Sequence, residues 1–460
     1  MSGRTRTADD PAPWVTDENA ALLTDLYQLT MLQAYWREGM SGEAVFSLYF
    51  RTLPPARNFM LFAGLGAVLR YLERLRFHTD ALDYLASLGL FCDAFLRSLE
   101  TLRFRGDVWA VPEGTPVFSN APLLEIAAPI AEAQLAESFV MNQIHVQTVL
   151  ASKAARVVAA AQGRPVVDFG LRRMHGADAA LKGARAYHVA GIEATSNLLA
   201  GRVFDLPVAG TMAHSYVQAH DREADAFRAF TGLYPETILL VDSYDTLAGV
   251  RRVVELAREL GAAFRVRGVR LDSGDLGALA REARRILDQA GLAGVEIFAS
   301  GSLDEYRVAE LVQGGAPIDA FGVGTRMGVS ADAPDLDLVY KLTAYAGTGR
   351  VKTSPGKELL PGRKQVFRFE EDDLAVRDVL ATCDEVHPGR PLLEPVLRRG
   401  ERLDAGRASL ADARARAAAE LARLPERLRA LEPAAPPYPV VVSERLRAEQ
   451  LRVRTRVADA

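Results

Sequence analysis

From about residue 165 onward the apolar positions fall in short unbroken runs instead of alternating with polar ones. The runs are PVVDF (165–169), GIEAT (191–195), LPVAGT (206–211), TILLVD (237–242), RGVRLD (267–272), VEIFAS (295–300) and IDAFGVG (318–324). Each is followed by a polar loop and then by a helical stretch. Unbroken apolar strands are those of a parallel sheet covered on both faces, and a spacing of about 15 to 30 residues leaves room for one crossover helix per unit. Seven such units predict a (β/α) barrel. An open doubly wound sheet fits the same runs, and the number of units favours the barrel.

The chain before this region reads differently. Residues 24–38 predict a helix closed by Gly39, with Leu26, Leu29, Leu32 and Trp36 on one stripe and Tyr27, Met31, Ala34 and Tyr35 on the other. A helix that is apolar on both sides is expected to be buried on both sides, between domains or between subunits. EAVFSLYFR (43–51) alternates as a strand does, residues 60–104 carry helical patterns, and 107–126 read as short strands broken by Pro and Gly turns. Past residue 345 come the turns of KTSPGKELLPGRK, a strand-like QVFRF, a charged Ala/Arg-rich helix near 408–431 and PYPVVVS. These features predict an α/β protein in three segments. Residues 1–140 form a mixed, sandwich-like α/β domain, 141–345 the barrel, and 346–460 a C-terminal segment for which completion of the first domain is one option.

Composition narrows the functional classes. The 460 residues are 49% hydrophobic, enough for more than one core, and a formal net charge of −4 leaves no basic excess for nucleic acid or an anionic membrane surface. An anionic ligand must therefore be gripped locally. Two cysteines, Cys92 and Cys383, are too few for a disulfide framework or a four-thiolate zinc site. The first residues are polar and contain Pro, and no run of about 18 apolar residues occurs, so the expected location is the cytoplasm.

In a barrel of this kind the chemistry lies where the strands end, and here those ends are polar and varied. DFGLRR places Asp168, Arg172 and Arg173 at the mouth, either as forks for an anion or as a surface ion pair with Asp168. GTMAHS brings His214 to the rim, where a neutral imidazole is a competent nucleophile. His220, farther along, reads as structural. In RGVRLDSGDL, alternation sends Arg270 and Asp272 to the same side, a costly arrangement near a buried strand unless it is partnered or used. Asp272 and Asp275 suit a divalent metal carrying a polyphosphate, while Asp275 also suits a helix cap. Ser302 and Glu305 have capping-box spacing. Ser300 and the glycines at 301, 322 and 324, in the loops after the last two strands, predict a phosphate cradle.

The ordered strings LLTDLYQLTM (22–31), DFGLRR, ATSN, GTMAHS, DSYDT, VRLDSGDL, ASGSLDE, GVGTRMGVSADAP (322–334) and PGRKQVFR (361–368) resemble the nicotinate phosphoribosyltransferase family. The resemblance implies a type II phosphoribosyltransferase that couples nicotinate to phosphoribosyl pyrophosphate, with Mg2+ and with ATP as co-substrate. It also implies an irregular (β/α) barrel and a homodimer with shared active sites. His214 matches the histidine that ATP phosphorylates, and Thr211 matches a residue near nicotinate. Phe169 matches a ring-stacking residue, and Tyr27 matches a second aromatic supplied across the dimer. Arg172 and Arg270 match the positive groups around the substrate anions. Asp272, Gly301, Gly324 and Thr325 match the ribose and phosphate shell. Ser196 stands where a nicotinamide-specific branch carries an acid, which favours nicotinate, although Glu193 is near in sequence. Nicotinamide as substrate, and more distantly a sugar-phosphate lyase or isomerase, are the competing readings.

Overall fold

The computed structural model describes residues 15–354 and 359–459. Two cores organise it, and one long helix joins them. Helix Glu137–Ala161 buries Phe139, Val140, Ile144 and Val149 in the first core, and Leu150, Ala151, Ala154, Val157 and Ala161 in the second. The small residues toward its C-terminal half let neighbouring backbone come close. Its own polar side chains also serve as partners: Ser152 Oγ accepts the Leu61 N–H at 2.8 Å, and Thr148 Oγ1 donates to the Ala63 carbonyl at 3.0 Å.

The first core lies under a seven-stranded antiparallel sheet in which an inner strand, Glu43–Phe50, pairs with Leu338–Tyr345 on one side and Leu124–Pro129 on the other. Strand Glu43–Phe50 is buried along nearly its whole length, so both faces are covered and the alternation seen in sequence does not become a solvent face. Asp107–Ala110 pairs with Glu394–Arg398, so the C-terminal segment adds strands to this sheet. The expected helices within 60–104 are Leu65–Arg74, Thr79–Ser87 and Asp93–Glu100, preceded by a short strand at Met60–Leu61. The helix foreseen near 408–431 is broken into Leu410–Ala422 and Glu426–Arg429, with Pro425 at the break. A smaller sheet, built on Lys364–Glu371 and Leu374–Thr382, includes Val440–Val442.

Helix Leu26–Glu38 ends at Gly39, which adopts φ 69°. Only Gln28, Leu29 and Leu32 of this helix are buried, while Leu26, Tyr27 and Trp36 stand exposed. Within the chain, the expected burial on two sides is therefore burial on one.

Around the second core, six parallel strands run in the spatial order Ala194–Thr195, Val166–Asp168, Ala320–Val323, Glu296–Ala299, Gly268–Leu271, Ile238–Leu240. The last strand in sequence thus pairs with the first, as in a ring, which a doubly wound sheet would not do. LPVAGT forms no full strand and contributes a single parallel bridge, Val208 to Thr195. Among the described residues no ladder joins Val208 to Ile238, so the curled sheet stays open at that one seam. A cleft of about 700 Å3, lined in part by Thr211, Phe230, Tyr234 and Thr237, lies there.

Candidate active site

The strand ends converge on one rim. Arg270 leaves its strand and donates from Nη1 to Thr211 Oγ1 at 2.7 Å, while its guanidinium lies 5.9 Å from the centroid of Phe169. The floor beneath is apolar, made by Val167, Phe298 and Ala320 with Ala194, Ala209 and Ile238. Burial lowers the Arg270 pKa from its ordinary value, Asp272 and Asp242 draw it back up, and Arg172 adds repulsion. Arg270 stays charged regardless, and its Nε is buried without a hydrogen-bond partner, so this cation is incompletely satisfied. An aromatic wall beside an underpaired guanidinium suits a flat, negatively charged ring.

His214 sits at the N-terminus of a short helix, His214–Gln218, and is half-buried. Its Nδ1 lies 3.1 Å from Ser243 Oγ, and its Nε2 lies 3.8 Å from Asp272 Oδ2. The other oxygen of Asp272 accepts from Ser300 Oγ at 2.5 Å. Asp242 Oδ2 accepts from Asp272 N at 3.0 Å and from Ser273 Oγ at 2.7 Å, and its Oδ1 is buried and unpaired. Asp242 and Ser243 were not singled out from sequence, although the rule applied to the other strand ends points at them, since TILLVD ends on Asp242.

The glycine loops close the arrangement. Gly301 has φ +92°, and a Cβ there would lie 1.8 Å from the Asp272 carbonyl oxygen; Gly322 lies inside the strand Ala320–Val323 and not in the loop expected after it, and a Cβ there would lie 2.6 Å from the Phe169 ring. Neither position admits a side chain without moving a site residue. Gly324 approaches the Phe169 carbonyl in the same way, and Thr325 Oγ1 accepts from Arg173 Nη1 at 3.1 Å.

Several expectations are corrected. Asp168 is no surface partner of the arginines: it is buried, and its two oxygens accept from Gly170 N and Thr195 Oγ1, both at 2.7 Å. Burial raises its pKa and those two hydrogen bonds oppose the rise. Arg172 remains exposed at the rim. Ser302 and Glu305 form no capping box, because Asp304 caps the following helix through Arg307 N, and Glu305 is wholly buried among basic side chains. Asp275 spends Oδ1 on the N–H groups of Gly277 and Ala278 as the cap of Leu276–Gln289. His220 bonds the Tyr216 carbonyl as a structural residue does.

Ser196 donates its N–H to the Asp168 carbonyl beside the rim. Glu193 lies at the opposite end of the same strand, largely exposed and paired with Arg414 at 2.8 Å, so it places no acid near Arg270. Tyr27 is not brought to the rim within the chain. Its hydroxyl is hydrogen-bonded to Glu137, and burial, with Glu137 and Asp25 nearby, pushes its pKa up to about 12. Of the turn lysines, Lys364 is buried against Glu125 at 3.1 Å, Lys352 is exposed, and Lys357 lies outside the described residues.

A curled parallel α/β sheet with an underpaired arginine, a rim histidine and two glycine loops defines an enzyme that handles small anionic, phosphorylated molecules at its strand ends. Comparison with known proteins specifies which. Residues 22–145 match the family model described as the nicotinate phosphoribosyltransferase (NAPRTase) N-terminal domain, and residues 165–358 match the NAPRTase family. The chain is 56% identical over 434 residues to nicotinate phosphoribosyltransferase pncB2 of Mycobacterium tuberculosis, covering 94% of each. It is 39% identical over 379 residues to the Bacillus subtilis nicotinate phosphoribosyltransferase, covering 80% of this chain and 77% of that one. The crystal structure of human nicotinic acid phosphoribosyltransferase superposes with a TM-score of 0.83 at 30% identity, over 94% of this chain and 99% of that one. The chain belongs to the nicotinate phosphoribosyltransferase family.

Proposed function

We propose that this enzyme transfers the phosphoribosyl group of phosphoribosyl pyrophosphate to nicotinate, giving nicotinate mononucleotide and pyrophosphate in NAD salvage. The observation that carries the reading is Arg270, half-buried with its Nε unpartnered and held by Thr211 against Phe169, where the carboxylate of a flat pyridine ring satisfies it. The bond from ribose C1 to pyrophosphate breaks through an oxocarbenium-like state while the pyridine nitrogen supplies its lone pair to C1. That nitrogen carries no proton, so no general base is required. The N–H groups at Gly301 and Gly324, Thr325 and the rim arginines offset the phosphate charge, whereas Ser300, expected in this cradle, is buried with its hydroxyl on Asp272 and its N–H on the Leu271 carbonyl.

Mg2+ fits one carboxylate better than two. Asp272 keeps an oxygen directed toward the rim, whereas Asp275 is committed to its helix, and no cluster of three acidic, His or Cys ligands occurs among the described residues. The ion would rest on Asp272 and on diphosphate oxygens, where it supplies charge neutralisation for the leaving group.

ATP is the second co-substrate in this reading: a nitrogen of His214 takes the terminal phosphoryl group, ADP leaves, and later hydrolysis of the phosphohistidine returns the free imidazole. The pairing of His214 with Ser243 and Asp272 supports that role. A second copy of the chain completes the site by presenting Tyr27. The exposed Leu23, Leu26 and Tyr27 on one domain, and Leu198, Leu199 and Val203 on the other, support such a homodimer. Leu199→Asp is expected to yield monomers by light scattering and to lose activity with them. No described helix is long and apolar enough to cross a membrane, and the substrates are intracellular metabolites, which favours the cytoplasm.

The test is purified enzyme with phosphoribosyl pyrophosphate and Mg2+, with nicotinate or nicotinamide, and with or without ATP. Mononucleotide from nicotinate, enhanced by ATP, is the expected result; preferential use of nicotinamide, or no mononucleotide from either, overturns the reading. His214→Ala is expected to keep slow synthesis and to lose the ATP hydrolysis linked to it. Intact coupling in that variant removes His214 from its role.

A further inference from the structure

Behind the two glycine loops lies a cluster of charge that the reaction outlined above does not use, with Lys153 and Glu305 buried and Asp332 at its solvent edge. Lys153, on the long central helix, is 1% exposed. Its Nζ hydrogen-bonds Asp332 Oδ1 at 2.6 Å and lies in ionic contact, 2.5 Å away, with Glu305 Oε2. Glu305 opens the helix that follows the Ser300–Gly301 loop, and Asp332 lies just beyond the short helix Thr325–Gly328 that Gly324 introduces. One ammonium group thus bridges the segments that carry both loops. Each carboxylate also has an arginine of its own: Arg156 Nε donates to Glu305 Oε1 at 2.9 Å, and Arg57 Nη1 donates to Asp332 Oδ2 at 2.6 Å. Lys153 is therefore the group that connects two otherwise complete ion pairs.

The contacts of Glu305 with Lys153 and Arg156 are deep enough to cost desolvation, and apolar packing would generally stabilise the fold as well, so their presence calls for another benefit. The loops supply one. Ser302 has φ +53° and Ser330 φ +43°, left-handed conformations that side-chain-bearing residues hold only where the surroundings impose them. Both serines lie in the two tied segments. Burial alone would raise the Asp332 pKa, but Arg57 and Lys153 outweigh it and hold the carboxyl well below its usual range.

We propose that Lys153 is a positioning residue for phosphoribosyl pyrophosphate, fixing the distance between the two glycine loops so that their N–H groups meet both phosphorylated ends of one substrate. The inference rests on the reading of these loops as the phosphate cradle. Preorganised donors bind without paying to order themselves, so cutting the tie weakens the phosphorylated substrate selectively, while nicotinate, held by Arg270 and Phe169, is unaffected.

The experiment is steady-state kinetics of full-length Lys153→Met, Lys153→Arg and Thr325→Val beside wild type, varying each substrate in turn, with thermal unfolding followed with and without phosphoribosyl pyrophosphate. Lys153→Met leaves each carboxylate its arginine, so the fold is expected to persist. The expected outcome is a KM for phosphoribosyl pyrophosphate raised tenfold or more with the KM for nicotinate within twofold, a smaller thermal shift from phosphoribosyl pyrophosphate, and partial rescue in Lys153→Arg. If Lys153→Met does not fold, Lys153→Arg and Asp332→Asn carry the same KM comparison. Equal changes in both KM values, or a fall in unfolding temperature with both unchanged, overturns the proposal. Thr325→Val shows which premise failed: with its KM for phosphoribosyl pyrophosphate raised, the cradle stands and only the tie falls; with it unchanged, the cradle and the tie fall together.

Discussion

Arg270 shows how a single side chain is made useful by being incompletely satisfied. Thr211 fixes one nitrogen, Phe169 walls one side, and Nε is left without a partner in a buried place. A hydrogen bond to a charged group is worth roughly 1.5–3 kcal/mol, so Arg270→Gln is expected to lower kcat/KM for nicotinate by about 2 kcal/mol or more. Competition kinetics between nicotinate and nicotinamide check it, and an unchanged ratio places the carboxylate elsewhere. The strand-end rule made Arg270, Asp272 and His214 legible in the sequence. It did not reveal that Asp168 faces inward to Thr195 and Gly170, because the direction of a loop carboxylate depends on the neighbouring strand, 27 residues away in sequence.

At the scale of elements, the ring is read best where strands are continuous and worst where they are shortest. Residues 268–271, 296–299 and 320–323 become strands where the apolar runs predict them. The run 206–211 becomes a single bridge, since pairing needs two partners and Ile238 does not come alongside. The helices between the strands start on caps that also hold the rim. Asp275 caps Leu276–Gln289 directly after Asp272. Asp275→Ala is expected to cost about 1 kcal/mol of stability with little change in Mg2+ dependence. Urea unfolding together with a Mg2+ titration checks this, and a strongly shifted Mg2+ requirement would make Asp275 a ligand after all.

For the molecule as a whole, a part-buried ion pair, Glu113 with Arg185, is one tie between the antiparallel sheet and the parallel α/β region. Glu113, beyond the Asp107–Ala110 strand, accepts from Arg185 Nη2 at 2.6 Å on helix Ala177–Val189 of the parallel α/β region, and from the N–H groups of Gly64 and Leu65. Burial would raise the Glu113 pKa, but Arg185 and the two N–H donors outweigh it and lower it. A carboxyl depressed in the fold stabilises fully above its unfolded pKa of about 4.3, and that stabilisation is lost as pH falls through the folded value. Glu113→Gln is therefore expected to cost about 3 kcal/mol at neutral pH, with the difference from wild type shrinking below about pH 4. Denaturant unfolding of both proteins at the two pH values checks it, and a pH-independent gap would show that the lost contact is not electrostatic.

The periodicity of the chain alone determined the parallel α/β region, the helix closed by Gly39, and the set of strand ends where chemistry gathers, because these follow from short-range sterics and from which faces must leave water. Tertiary structure alone decided that the ring stays open at one seam, that Glu193 turns to Arg414 and not toward Arg270, and that Glu305 joins Lys153 and Arg156 where a cap had been expected. Each of these outcomes depends on a partner far away in sequence. Charge burial is decided by whichever opposite charge the completed packing brings within reach, and no local pattern encodes that.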